Sequence, residues 1–314
     1  MERFNVKELP GRQMQSRSGF SGVYPVAYAL FDEAGNLARD AMRRQIDAMV
    51  SNGVHGVAVL GLASEVNKLA FAERVQLLEW VAEDLNGRAP LAVTIAEPSI
   101  ASQIDLVKTA AGCGARWVIL QPPPVKGVPE AELIRFFGAV ADKSPITVAI
   151  QNAPQYLGIG LSVAGVKALN RAHPNVGIVK LEATALAISS FVEETEGAID
   201  VFNGRGGIEI TDSMRAGAVG SVPGGETFDV LVKVFNLMSA RTAEGEAEAE
   251  RLYRGVLPLL DFLMESMDTF LVYGKQVLGH RLGIRETNSR PPFTPATPFG
   301  SAIAQRHADA LGRL

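Results

Sequence analysis

The amine of Lys180 is the group in this sequence whose placement points most directly to chemistry. It closes the apolar run Val176-Gly177-Ile178-Val179, with Leu181 next and Glu182 two residues on. A lysine at the end of such a run either faces the interior of a sheet or snorkels its ammonium into water. In the interior, burial disfavours the charged form. A neutral amine can attack a 2-oxo acid and form a Schiff base, and the iminium then serves as an electron sink for carbon–carbon bond making or breaking without a metal. Two glycine-led segments offer a complementary function. Gly61-Leu62-Ala63-Ser64-Glu65 presents backbone N–H groups that can hold a carboxylate or phosphate, or it is an ordinary turn. Asn203-Gly204-Arg205-Gly206-Gly207 is either an anion nest with Arg205 as a bidentate clamp or a tight turn with a solvated arginine.

Other chemistries find less support. His55, His173, His280 and His307 are scattered, without the His-x-x-x-His spacing of a metal site. Ser64 has no positioned His–Asp pair. The single cysteine, Cys113, excludes an intrachain disulfide and a multi-cysteine zinc site. With 30 basic against 34 acidic residues, the net charge of -4 gives no global pull toward nucleic acid. The first 18 residues are polar and carry Arg12 and Arg17, without the apolar stretch of a signal peptide. No run approaches the roughly 18 apolar residues of a membrane span. These features predict a cytoplasmic protein that uses no metal or cofactor and binds neither nucleic acid nor membrane.

The elements that must position these residues form a repeated pattern. Apolar runs occur at Val23–Leu30, Gly56–Leu60, Leu91–Ile95, Trp117–Leu120, Ile146–Ile150, Val176–Val179, Asp200–Phe202 and Gly220–Val222. Each is followed by a helix-period segment. The first spans Ala38–Met49, with Met42, Ile46 and Met49 on one stripe and Gly53 as its stop. Continuous Val- and Ile-rich runs suit strands buried on both faces, and strict alternation with helices implies a parallel sheet. Eight such units predict an α/β fold, a (β/α)8 TIM barrel, and no G-x-G-x-x-G follows the first run. Beyond residue 244 helical patterns continue without strands, at Glu244–Met267, Val272–Leu282 and Ala302–Leu311, with Pro258 expected to kink or split the first. Pro291, Pro292, Pro295 and Pro298 predict an extended stretch before the last helix. The expected organisation is an arm over 1–18, a barrel over 19–243 and a C-terminal helical domain over 244–314. A barrel of this kind works at the C-terminal ends of its strands. That gathers Gly61–Glu65, Gln121 with its three following prolines, Gln151-Asn152-Ala153-Pro154-Gln155-Tyr156, Lys180 and Asn203–Gly207.

These segments resemble the dihydrodipicolinate synthase / N-acetylneuraminate lyase family of class I aldolases, from Gly22 to about Gly300. Gly61–Glu65 resembles the family's Gly-x-x-Gly-Glu carboxylate loop, and Gln151-Asn152-Ala153-Pro154 resembles its Tyr-Asn-x-Pro segment. His173–Lys180 resembles the approach to the Schiff-base lysine. Gly274-Lys275, Leu278 and Arg290-Pro291-Pro292 resemble the C-terminal helices. The resemblance implies that Lys180 condenses with pyruvate or a related 2-oxo acid and that the amides of Leu62 and Ala63 hold its carboxylate. Ser64 and Glu65 complete that loop. It also implies a homo-oligomer, a tetramer or dimer.

The chain departs from the family at its proton relay. Gln151 stands where the catalytic tyrosine falls, Leu62 and Ala63 where the synthases carry two hydroxyl residues, and Pro123-Pro124 where they carry a tyrosine pair. The synthases' substrate-gripping arginine aligns near Tyr156. The expectation is therefore an aldolase or a 2-oxo-3-deoxy sugar acid dehydratase rather than a dihydrodipicolinate synthase. In it Tyr156 is the candidate proton shuttle, Gln121, Gln151 and Asn152 line the pocket, and Gly204 and Arg205 receive the tail of the second substrate. The alternative is a barrel that has lost catalysis and binds a small acid as a sensor or scaffold.

Overall fold

A computed structural model describes residues 15–125 and 127–314, so the first fourteen residues of the expected arm lie outside the described part. Eight parallel strands form one sheet: β1 (Gly22–Val23), β2 (Val57–Val59), β3 (Leu91–Ile95), β4 (Trp117–Leu120), β5 (Thr147–Asn152), β6 (Val176–Leu181), β7 (Asp200–Asn203) and β8 (Gly220–Ser221). Their order is β1-β8-β7-β6-β5-β4-β3-β2. A bridge from Val26 to Ala58 of β2 joins the two ends and closes the barrel. The helices are α1 (Arg39–Ser51), α2 (Phe71–Leu85), α3 (Ile100–Gly112), α4 (Glu130–Ala141), α5 (Pro154–Leu157), α6 (Val163–Ala172), α7 (Ala185–Glu194), α8 (Ile210–Arg215), α9 (Phe228–Ala240), α10 (Ala243–Leu263), α11 (Met267–Leu282) and α12 (Pro298–Leu311).

The first strand is shorter than the run that predicts it. Pro25 has no N–H for the ladder, so regular pairing stops at Val23 and only single bonds continue. β2 stops at Val59 because Leu60 turns to φ 62°, which swings the chain into the following loop. Pro258 does not split its helix into two elements: α10 runs through it. The proline and Arg254, whose carbonyl it leaves unpaired, both lie on the exposed side, where water can take the bond. α11 starts earlier than its apolar pattern suggests because Ser266 caps it, accepting from Thr269 N at 3.0 Å. Pro298 likewise opens α12 instead of lying in the extended stretch.

The lower end of the barrel is filled by aromatic rings. Trp117, Tyr24 and Phe202 meet with centroids 5.2–5.6 Å apart, and Phe20 stacks on Trp117. Asp200 accepts from Arg17 N and Ser18 N, which ties the described end of the arm across this floor. The upper end, at the strand C-termini, is left for polar groups.

Candidate active site

Strand register decides which side chains share the upper interior. Lys180 of β6 pairs with Gln151 of β5, so the two point to the same face. Lys180 is only 6% exposed. Its Nζ lies 2.7 Å from Glu182 Oε1, and the Glu182 side chain is equally buried. The other carboxylate oxygen, Oε2, accepts the backbone N–H of Arg205. That amide is presented by a turn in which Arg205 and Glu209 adopt φ 48° and 61°. Leu60 and Glu65, flanking the loop after β2, also have positive φ, so four of the seven such non-glycine residues among the described residues cluster at this end. Conformations of that kind persist where the surroundings over-determine them.

A narrow cavity of about 40 Å³ opens in front of the amine. Lys180, Glu182, Tyr156 and Arg205 supply its polar side chains. Leu62 and Ala63 form one edge. Their amides are the first two of a short 3-10 turn, Leu62–Ser64, and so lack partners within it. Val26, Val222, Met264, Met267 and Phe270 make the rest of the wall apolar. Tyr156 rides on α5 and is 39% exposed. Burial, and next the Glu182 charge, hold its phenol above the ordinary pKa, against the pull of Arg205. It is therefore protonated at neutral pH and can donate.

The structure separates the expected site residues into two groups. Lys180, Tyr156, Arg205, Leu62 and Ala63 converge on the cavity. Gly204 contributes by having no side chain: a Cβ there would overlap the Glu182 carboxylate. Ser64, Glu65, Asn152, Gln121 and Gln151 are not on the cavity wall. Ser64 is buried and its hydroxyl donates to Ala27 O at 2.6 Å, which pins the loop. Glu65 is buried between Lys275 of α11 and Lys68, 2.7 Å away. Asn152 staples its own loop, donating to Leu161 O at 2.8 Å and accepting from Leu161 N at 3.0 Å. Gln121 Nε2 donates to Gln151 Oε1 at 2.9 Å. Gln151 Nε2 is buried without a partner among the described residues, on the interior face that carries Lys180.

Sequence reasoning gave Glu182 no role and passed over the apolar wall. Period-two alternation carried one residue beyond β6 places 180 and 182 on one face, so a signal for Glu182 existed. Met264 follows the last residue of α10 and Met267 and Phe270 start α11, and nothing in their local pattern marks them. Among the described residues, no group of three His, Cys, Asp or Glu side chains is placed to hold a metal ion. No helix among them is long and apolar enough to cross a membrane.

A buried lysine amine on the sixth strand of a closed (β/α)8 barrel, facing a small cavity at the strand C-termini, defines a lyase of the class I type. The chain belongs to the dihydrodipicolinate synthetase family, whose pattern it matches over residues 19–303. It is 29% identical over 296 residues to the 4-hydroxy-tetrahydrodipicolinate synthase of Stenotrophomonas maltophilia, covering 94% of this chain and 97% of that one. It is 27% identical over 248 residues to the L-2-keto-3-deoxyarabonate dehydratase of Azospirillum brasilense, covering 76% and 78%. Its fold superimposes on the sialic acid aldolase of Ruminococcus gnavus with a TM-score of 0.83 at 22% identity, covering 93% and 97%.

Proposed function

We propose that this protein is a Schiff-base lyase that condenses Lys180 with pyruvate or a related 2-oxo acid, as an aldolase or a 2-oxo-3-deoxy sugar acid dehydratase. The observation that carries the reading is the Lys180 amine, buried at the cavity and held 2.7 Å from a carboxylate. The free amides of Leu62 and Ala63 suit the substrate carboxylate. Tyr156 would give a proton to the oxygen of the second reactant, and Arg205 would receive an anionic or hydroxylated tail. Gln151, which accepts a hydrogen bond from Gln121, stands where the resemblance puts the family's catalytic tyrosine, and an amide cannot transfer protons as a phenol does. That favours a family activity other than dihydrodipicolinate synthesis. It also favours the second reading, a barrel that binds a small acid without turning it over.

Borohydride reduction with pyruvate, followed by peptide mass analysis, separates the two. A reduced pyruvyl adduct on Lys180, absent in Lys180→Met, supports the lyase. No adduct with any 2-oxo acid tested leaves the binder. We infer a cytoplasmic homo-oligomer, tetramer or dimer. Leu186 of α7 and Phe299 of α12, both largely exposed, are apolar surface that association would cover. Light scattering on the purified protein reads the assembly directly.

A further inference from the structure

We propose that Glu182 is the catalytic acid–base of the Lys180 reaction, carrying its protons in place of a phenol relay. The inference rests on the lyase reading above and adds the group that moves protons.

Four observations support it. Glu182 is the carboxylate in contact with the reacting nitrogen, through Oε1 at 2.7 Å. Its other oxygen is fixed by a backbone N–H, that of Arg205, which neither titrates nor changes rotamer. Gly204 leaves room for the carboxylate where any side chain would displace it. Gln155 Nε2 donates to the Glu182 backbone carbonyl, so the main chain at this point is held as well. Among the other polar side chains on the cavity wall, Arg205 has no proton to give at working pH. Tyr156 is held protonated, so it cannot act as the base.

The proton steps balance with no other reactant. Glu182 takes a proton from the Lys180 ammonium, and the freed lone pair attacks C2 of the 2-oxo acid. Attack gives an ammonium alkoxide; one nitrogen proton passes to that oxygen through the carboxyl, and the protonated carboxyl then gives its own proton to the resulting hydroxyl, which leaves as water and gives the iminium. The carboxylate then removes a proton from C3. The C3–H electron pair becomes the C2=C3 bond, and the C2=N pair moves onto nitrogen to give the enamine. C3 lies two bonds from Nζ, so the oxygen that contacts the nitrogen is within reach of the C3 proton. In the aldol direction C3 of the enamine bonds to the aldehyde carbon, the nitrogen lone pair re-forms the C2=N bond, and the aldehyde oxygen takes a proton from Tyr156, which the proton that Glu182 removed from C3 then replaces. Water then hydrolyses the iminium and releases the amine.

The test needs only pyruvate. The wild-type protein is incubated with pyruvate in deuterium oxide, and loss of the methyl signal is followed by proton NMR beside borohydride trapping. Glu182→Gln keeps a carbonyl oxygen for the Arg205 amide but cannot take a proton. It is expected to lower methyl exchange per trapped lysine by about 100-fold or more. Exchange at the wild-type rate in that variant overturns the proposal, as does a wild-type protein that traps pyruvate but exchanges no methyl proton. If Glu182→Gln does not fold, Glu182→Ala is measured with added formate. A rate restored in proportion to formate supports the proposal, and a rate changed by neither truncation nor formate overturns it. Absence of any adduct in the wild-type protein is a separate result, the failure of the lyase reading itself.

Discussion

Lys275 of α11 and Glu65, in the loop after β2, meet as an ion pair in which both side chains are inaccessible to solvent. Lys275 also donates to Asn288 O at 3.0 Å and sits over the Phe31 ring. Burial pushes its ammonium pKa down, with Glu65 pulling it back up. Removing one member of such a pair strands the other in a medium that cannot solvate it. Lys275→Met should therefore cost about 3 kcal/mol, toward the low end of the usual range because Glu65 keeps Lys68. Urea denaturation measures it, and an unchanged midpoint would refute the structural role.

A second buried acid makes stability depend on pH. Glu226 lies beneath Gly224 of the cavity wall, and burial raises its pKa to about 7 although it accepts a 2.6 Å hydrogen bond from Tyr28. Its other oxygen, Oε1, has no partner among the described residues. Between pH 4.5 and 7 the native carboxyl holds a proton that the unfolded chain has released. Stability from this group is thus complete below pH 4.5 and falls as the pH rises through 7, by about 3 kcal/mol at most. Glu226→Gln should remove that loss, so its midpoint rises relative to wild type between pH 5 and pH 8. Parallel curves for the two proteins would contradict the assignment.

Gly204→Ala tests the seat of Glu182 without touching its charge. The added methyl would collide with the carboxylate, which must rotate away from Lys180. Displacements of about 1 Å commonly cost 100-fold in rate. We expect pyruvate methyl exchange to drop by at least tenfold while circular dichroism stays native. Full activity would mean that the Lys180–Glu182 contact is dispensable.

Ser64→Ala should behave in the opposite sense. The hydroxyl ties the loop to Ala27 O, and its loss leaves a buried acceptor unpaired. The expected loss is about 1–2 kcal/mol in unfolding, with pyruvate trapping at wild-type yield. A collapse of trapping without loss of stability would return Ser64 to the substrate site.

Most of the barrel was legible because strands buried on both faces read as unbroken Val and Ile runs, and because the helices between them keep a 3.6-residue stripe. What the runs hide is local chemistry: Pro25 cuts β1 short, and Leu60 ends β2 by turning to positive φ. Lys180 was legible from its place in a run, since a charge there must be explained. Ser64, Glu65 and Asn152 share loops with cavity residues, and a loop position alone does not say which way a side chain turns. Ser64 answers to an acceptor 37 residues away and Glu65 to a cation 210 residues away. Glu182 shows the converse. Its alternation with Lys180 was visible, but the amide that fixes it comes from the turn after β7, 23 residues on.

The ceiling over the amine is built by Met264, Met267 and Phe270, which belong to α11 and the link that precedes it and not to the barrel staves. The amine and the apolar ceiling above it thus belong to different layers of the molecule. On the proposed lyase reading, drift in an outer helix would retune which second reactant is admitted while Lys180 and Glu182 stay where the barrel holds them. Two thioethers and a phenyl ring form a pliable ceiling, so relatives sharing one inner reaction can diverge in diet by changes confined to this attic.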